Sequence, residues 1–159
     1  MLTEKQIEEF IEVLTSLSPD TKIYFGCDSV RYMKDDRWMA KYATVAIIHK
    51  NGNNGCKIFQ HISHEPDFDT KKDRPALRLM NEVYKVTQMY MQLAPLIEGY
   101  PIEIHLDVNP NEKHGSSCVA TQATGYILGM TQIKPKLKPE SWGASIGADG
   151  IGRGYHTRG

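Results

Sequence analysis

Two aspartates stand near the ends of two candidate strands, and they are the residues best placed to do chemistry. Asp28 ends the run 22–28, and Asp107 lies near the end of the run 102–108. Both runs alternate, as strands with one buried face do. If the strands are parallel neighbours, the two carboxylates lie side by side where open α/β sheets bind ligands. Such a pair repels unless a cation lies between its members, and hard oxygen ligands suit Mg²⁺ or Mn²⁺.

Each aspartate taken alone has a simpler interpretation, because Asp-Ser and Asp-x-Asn-Pro are good turn formers. The matched pair favours the ligand interpretation. Two further carboxylates extend the set. Glu82 borders the apolar stripe of a long predicted helix, and Asp149 lies in the small-residue segment 144–150, which lets a substrate approach closely. The alternatives are a solvated helix glutamate and an acidic residue in a tail.

The elements that must position these acids follow from hydrophobic period and turn signals. A helix over about 3–17 begins with a capping box. The remaining predicted elements are three meander strands (22–28, 38–49, 56–63), a helix (70–98), a strand (102–108), a helix (116–128), a strand (132–137) and a last helix (139–152). This order predicts one α/β domain over 1–159, with a mixed sheet and helices on its faces.

Composition excludes several classes of protein. The 159 residues carry 19 Lys and Arg against 19 Asp and Glu, so global charge cannot hold nucleic acid and any such site needs a local patch. Three cysteines without a C-x-x-C pair argue against a disulfide framework and favour a reducing cytoplasm. We see no secretory signal and no apolar run that could cross a bilayer.

Four stretches together resemble the bacterial YkuK-type family of ribonuclease H-like proteins. They are GCDS (26–29), IEIHLDVNPN (102–111), IKP (133–135) and KPESWGAS (138–145). The resemblance runs from about residue 22 to 149. It implies a ribonuclease H-like fold with a five-stranded mixed sheet, three strands antiparallel and then two parallel, and helices on both faces. Carried over by position, the acidic residues of that fold are Asp28, Glu82, Asp107 and Asp149.

The resemblance implies a metal-dependent nuclease in which two Mg²⁺ or Mn²⁺ ions, held by these four acids, promote attack of water on phosphorus. No nucleophilic side chain is needed, and we find no Ser-His-Asp or Cys-His arrangement. His105, His114 and Ser29 are candidate auxiliary residues. A hydrogen-bonded histidine in the sheet and a solvated loop histidine are the alternatives for the first two.

Lys134, Lys136 and Lys138 alternate in sequence, so an extended segment places them on one side, where they can bind phosphates. A solubilising surface strand has the same pattern. Three aromatic residues can stack on bases or pack in the interior: Tyr32, Trp38 and Trp142. His61 and His64 resemble a metal pair without a convincing third ligand.

Three functions therefore stay open: a nuclease acting on RNA, an RNA–DNA hybrid or DNA; a catalytically silent module that binds nucleic acid or protein; and a structural domain whose acids form turns. The nuclease is favoured, although a fold alone does not fix function.

Overall fold

A computed structural model describes residues 1–16, 20–50, 55–69, 75–111, 117 and 119–138. In chain order the elements are α1 (Glu4–Thr15), β1 (Lys22–Lys34), β2 (Arg37–His49), β3 (Cys56–Pro66), α2 (Ala76–Leu93), a short 3₁₀ helix (Ala94–Leu96), β4 (Ile102–Leu106) and α3 (Ala120–Thr131). The strands form one mixed sheet in the order β3-β2-β1-β4. The predicted α/β class with a mixed sheet is confirmed.

The helix α1 begins as its sequence predicts. The Thr3 hydroxyl accepts a hydrogen bond from the Gln6 amide at 3.2 Å, and the Gln6 side chain accepts one from the Thr3 amide at 2.9 Å. These reciprocal bonds satisfy backbone donors that the first turn leaves open. Phe10 and Leu14 are buried, and the Phe10 ring packs edge-on against Phe59 of β3 at 5.1 Å. The amphipathic helix thus docks on the meander.

The meander pairs without interruption. β1 and β2 are antiparallel from the pair Lys22–His49 to the pair Lys34–Arg37, and β3 continues the sheet beyond β2. Asp35 adopts a positive φ in the connecting turn, as does the residue after it, which aspartate tolerates better than most residues. Because the ladder contains no bulge, side chains alternate strictly between the two faces of the sheet. The strand β1 is longer than predicted and continues well beyond Asp28.

The two faces of the sheet have different surroundings. On the helix face, Phe25 of β1 packs edge-on against Tyr90 of α2 at 5.6 Å, and Asn81 of α2 donates a hydrogen bond to the Tyr42 hydroxyl of β2 at 3.1 Å. The main core lies on this face and includes residues of α1, α2 and α3. The aspartate face, which carries Asp28, has a smaller buried cluster.

A carboxylate from the preceding loop fixes the start of α2. The two oxygens of Asp69 accept hydrogen bonds from the amides of Leu77 (2.8 Å) and Arg78 (2.9 Å). These bonds satisfy orphan donors of the first turn, and a negative charge suits a helix N-terminus. Close by, Arg31 of β1 pairs with Asp67 at 2.7 Å. The first turn of α2 is thereby held beside β1.

The strand β4 returns parallel to β1, in register from the pair Ile23–Ile102 to the pair Cys27–Leu106. Ile104, Leu106 and Val108 belong to the main core. By alternation, the odd-numbered residues of this segment belong to the aspartate face.

The prediction of five strands is wrong, because four strands form in the described part of the chain. The segment predicted as the fifth strand does lie alongside β4, but it forms one isolated parallel bridge between His105 and Lys136. The Lys136 amide donates to the Ile104 carbonyl at 2.8 Å, and the Lys136 carbonyl accepts from the Leu106 amide at 3.0 Å. Pro135 fixes its φ at about −65°, away from the roughly −120° of a parallel strand, which disfavours a regular ladder.

Other predicted features fall outside the described residues: the last helix (139–152) and the beginning of the helix predicted over 70–98. The described helices pack on the helix face. The predicted helices on both faces are therefore seen on one face in the part of the chain that the structure covers.

Candidate active site at the ends of two parallel strands

Asp28 and Asp107 come together at the end of the parallel pair. The pairing of β1 with β4 ends at Cys27 and Leu106, and the next residue of each strand is one of the two aspartates. Neighbouring strands lie about 4.8 Å apart, and residues in register share a face. Both side chains therefore belong to the aspartate face, at the carboxyl ends where open α/β sheets bind ligands.

Both aspartates already have polar contacts. Asp28 accepts a hydrogen bond from the amide of Ser29 at 2.9 Å. Asp107 forms an ion pair with the Nζ atom of Lys138, and its side chain keeps 21% of its surface exposed. The ammonium offsets the charge of Asp107, the acid that lies beside Asp28. The site thus attracts a cation, and in this structure a lysine supplies it.

Glu82 is positioned on the other side of β1. It is 3% exposed, and the hydroxyl of Ser29 donates a short hydrogen bond to its Oε2 atom. Because consecutive residues of a strand point to opposite faces, Ser29 reaches α2 while Asp28 points away from it. The structure therefore brings Asp28 and Asp107 together and places Glu82 across the strand from them.

Arg78 completes the contacts around Ser29, and sequence reasoning missed it. Its Nη1 atom donates to the Ser29 hydroxyl at 2.8 Å and to the Ser29 carbonyl at 3.3 Å. Arg78 precedes Glu82 by four residues, a spacing that places two side chains on one side of a helix. That spacing is the signal that could have found it.

The thiol between these acids is inert. Burial raises the pKa of Cys27 well above its ordinary value, and the charge of Glu82 adds to the effect. The hydroxyl of Thr44 donates to its sulfur at 3.4 Å. Cys27 is thus a protonated core residue, unlike the thiolates that bind metals.

His105 lies on the aspartate face within the sheet and is fully buried. Its Nε2 atom is 3.4 Å from Glu103, and its ring packs edge-on against Tyr24 at 5.3 Å. Burial lowers the pKa of His105 below 6.5 and outweighs the opposing charge of Glu103. The imidazole is therefore neutral at neutral pH. Its auxiliary role remains a prediction.

The three predicted phosphate-binding lysines differ in their contacts. Lys136 pairs with Glu103 at 2.6 Å, and Lys138 pairs with Asp107. Burial tends to raise the pKa of Glu103, but the hydrogen bond and charge of Lys136 outweigh it and lower that pKa. Lys134 is exposed. Two of the three ammonium groups thus balance acids on the aspartate face.

The other predicted residues are distributed as follows. Trp38 stacks beneath the Arg31 guanidinium at 4.0 Å, on the helix-face side of the hairpin. His61 pairs with Thr44 and His64 with Lys41, so the two histidines point to opposite faces and do not form a metal pair. His114, Trp142 and Asp149 lie outside the described residues.

The aspartate pair fits the chemistry of a hard divalent cation. Mg²⁺ and Mn²⁺ take one or two carboxylates together with water and phosphate oxygens. Within the described residues, no group of three or more His, Cys, Asp or Glu side chains is arranged to hold a metal. Asp28 and Asp107 can therefore contribute to one ion site, and a second ion requires Glu82 or Asp149.

In a comparison with protein families, the ribonuclease H-like family model matches residues 3–153, nearly the whole chain. The chain belongs to this family. The resemblance to the YkuK-type ribonuclease H-like proteins is confirmed. Neither the curated proteins nor the solved structures contain a match to this ribonuclease H-like protein. Among its described helices, none has the length and apolar character needed to cross a membrane.

Proposed function

We propose that this ribonuclease H-like protein is a metal-dependent nuclease that hydrolyses phosphodiester bonds of nucleic acid. One observation supports the proposal above all others. The parallel register of β1 and β4 brings Asp28 beside Asp107, on one face and at the carboxyl ends of the strands. Neither aspartate is needed there for packing, since both remain partly exposed.

In this proposal Asp28 and Asp107 would hold Mg²⁺ or Mn²⁺, which would supply a bound water of lowered pKa and stabilise the charge on the departing 3′-oxygen. The amide of Ser29 orients the Asp28 carboxylate through its 2.9 Å hydrogen bond. When the substrate binds, the ammonium of Lys138 leaves Asp107 and contacts a phosphate oxygen instead. Lys134 and Lys136 add positive charge along the same edge.

A two-ion site also requires the remaining predicted acids. Glu82 lies across β1 from the aspartate pair, so it contributes to the same site only if its carboxylate gives up the short bond to Ser29 and the end of the sheet rearranges to bring the acids onto one side. We propose Glu82 and Asp149 as the further ligands, in keeping with the acidic set that the family resemblance implies. The substitution Glu82→Gln keeps the hydrogen bond and removes the charge, so it tests this role without a large change of packing.

The decisive experiment is a cleavage assay on labelled RNA, RNA–DNA hybrid and DNA with Mg²⁺ or Mn²⁺. We expect Asp28→Asn and Asp107→Asn each to lower the cleavage rate by more than the ~100-fold that losing an outer-shell partner of a metal causes. Asp20→Asn is the matched control, because Asp20 is exposed before the opposite end of β1. Cleavage that survives both substitutions would contradict the proposal.

A second function, a catalytically silent module that binds nucleic acid or protein, is favoured by the ion pair between Lys138 and Asp107. A lysine there can take the place of a catalytic cation. This alternative predicts salt-sensitive binding without metal-dependent turnover. Binding that is insensitive to substitution of Lys134, Lys136 and Lys138 would exclude the lysine-mediated form of it.

A further inference from the structure

The strands of the meander are longer than β4, so the aspartate face continues beyond Asp28 and Asp107. The pairing of β4 with β1 stops at Cys27, whereas β1 continues to Lys34. Residues that follow Asp28 on its own face are brought together by the registers of the meander. We call this surface the hairpin platform, and it comprises Val30, Tyr32, Lys34, Arg37, Lys41 and His64.

The cations of the hairpin platform are uncompensated. Lys34, Arg37 and Lys41 form no ion pair within the described residues, and neither turn acid, Asp35 or Asp36, pairs with them. On the helix face the neighbouring cations are neutralised by acids, as in the pairing of Arg31 with Asp67 and of Lys85 with Glu65. Three cations without an ion pair thus lie on the face that holds Asp28, where they can contact phosphates.

An aromatic pair lies among these cations. The Tyr32 hydroxyl and the Nδ1 atom of His64 share a hydrogen bond of 2.8 Å, and the two rings meet nearly at right angles, 5.8 Å apart. Both side chains are partly exposed, and Val30 beside them is 59% exposed. Trp38 lies on the other face, where Arg31 stacks on its ring, and 40% of its surface stays exposed there. Tyr32 is therefore the aromatic residue of this hairpin that shares a face with Asp28.

We infer that the hairpin platform binds a single-stranded segment of nucleic acid that leads into the aspartate pair. Tyr32 follows Asp28 by four residues on the same face, a separation of about 13 Å that a few nucleotides of an extended strand can span. Aromatic side chains stack on unpaired bases of any sequence, while lysine and arginine follow the phosphates. A duplex keeps its bases stacked internally and cannot offer them to Tyr32.

This inference deepens the proposed function and rests on it, because Asp28 marks the place of the scissile phosphate. Binding is nevertheless measurable without cleavage. The test uses the full chain in EDTA and the fluorescence anisotropy of labelled RNA and DNA strands of about 12 nucleotides, each alone and in a duplex. We expect tighter binding of the single strands. The RNA and DNA arms show which sugar is preferred.

Two variants test the platform itself. Tyr32→Ala should weaken single-strand binding about tenfold, whereas Tyr32→Phe, which keeps the ring, should not. The triple substitution of Lys34, Arg37 and Lys41 by alanine should lower the salt slope of binding by about 2, since each phosphate neutralised contributes ~0.7. Lys57→Ala is the matched control, because Lys57 is exposed on the helix face of β3.

The outcomes separate this inference from the proposed function. The inference is overturned if Tyr32→Ala and the triple variant both bind single strands as the wild type does. It is also overturned if the protein binds duplex as tightly as single strands. Both results count against it even if Asp28→Asn abolishes cleavage. Binding that depends on Tyr32 in a protein that cleaves nothing would support the platform and overturn the nuclease. The triple variant changes mostly exposed side chains, so the test does not depend on how well Tyr32→Ala folds.

Discussion

The two faces of one sheet handle charge in different ways. On the helix face, Glu82 is buried and contacts Ser29, which in turn contacts Arg78, and apolar side chains surround the group. On the aspartate face, Asp107 and its partner Lys138 both stay partly exposed. A buried polar network is costly to disturb, because each group has given up its water. A partly exposed ion pair can exchange its partner for a ligand.

Strand alternation produces this contrast between neighbours. Asp28 and Ser29 are consecutive, yet Ser29 binds α2 to the sheet while Asp28 stands beside Asp107. The comparison teaches that the helix face supports stability and the aspartate face supports ligand binding. The following substitutions are designed to break or refine that division, beginning with the largest expected effect.

Ile104→Ala tests the helix face as the source of stability. Ile104 is fully buried in the main core at the centre of β4. Its truncation leaves a cavity, and we expect the free energy of unfolding in urea to fall by about 2–5 kcal/mol. Val30→Ala, at an exposed position of the aspartate face, should change it by less than about 0.5 kcal/mol. Equal losses at the two positions would contradict the division.

Ser29→Ala tests the buried network. The substitution leaves the Glu82 carboxylate buried without its hydroxyl donor, so we expect a loss of about 1–3 kcal/mol in the free energy of unfolding. Ser63→Ala is the matched control, because Ser63 also donates to a glutamate, Glu65, at 3.1 Å but in a partly exposed setting. A larger loss for the control would show that the helix-face network contributes little.

Local patterns predicted most of the elements of this fold, and tertiary contacts decided the rest. The capping box at Thr3 and the alternation in β1 and β4 were readable, because each depends on neighbours in sequence. The outer half of β1 was missed since its residues after Asp28 no longer alternate between buried and exposed in a simple way. The fifth strand was overpredicted because alternation in the sequence does not show how far the fixed φ of Pro135 limits a parallel ladder.

The candidate site was predictable to the same extent. The matched strand ends pointed to Asp28 and Asp107, and parallel pairing brings them together. Alternation also implied that Ser29 and Asp28 face opposite ways, but the sequence does not show which face α2 covers. The pairing of Lys138 with Asp107 depends on the register of a segment that forms one bridge, and no local signal specifies that register.

Acidic pH should lower the free energy of unfolding through protonation of His105 on the aspartate face. Burial lowers its pKa below 6.5, so the unfolded chain binds a proton that the folded chain does not. The contribution of neutral His105 to the free energy of unfolding is fully present above pH 6.5 and is lost as the pH falls below that value. We expect the free energy of unfolding to drop as the pH falls below about 6.5, and to drop less in His105→Gln.

The control for this titration is His61→Gln. Burial also lowers the pKa of His61, but that side chain is only partly buried. Its substitution should recover less of the drop than His105→Gln does. If His105→Gln leaves the whole drop in place, proton uptake elsewhere in the chain is responsible for the acid sensitivity.

The smallest expected effect is on Mn²⁺ affinity, when the lysine that pairs with Asp107 is removed. Lys138→Gln removes the ammonium with which a divalent ion must compete, and we expect Mn²⁺ to bind up to about fivefold more tightly by titration calorimetry, the equivalent of the ~1 kcal/mol of a partly exposed ion pair. Lys134→Gln, a change on the same segment without an acidic partner among the described residues, should leave Mn²⁺ affinity unchanged. Weaker Mn²⁺ binding in Lys138→Gln would mean that the lysine orients Asp107 for the ion, and an unchanged affinity in both variants would mean that the ion does not use Asp107 at all.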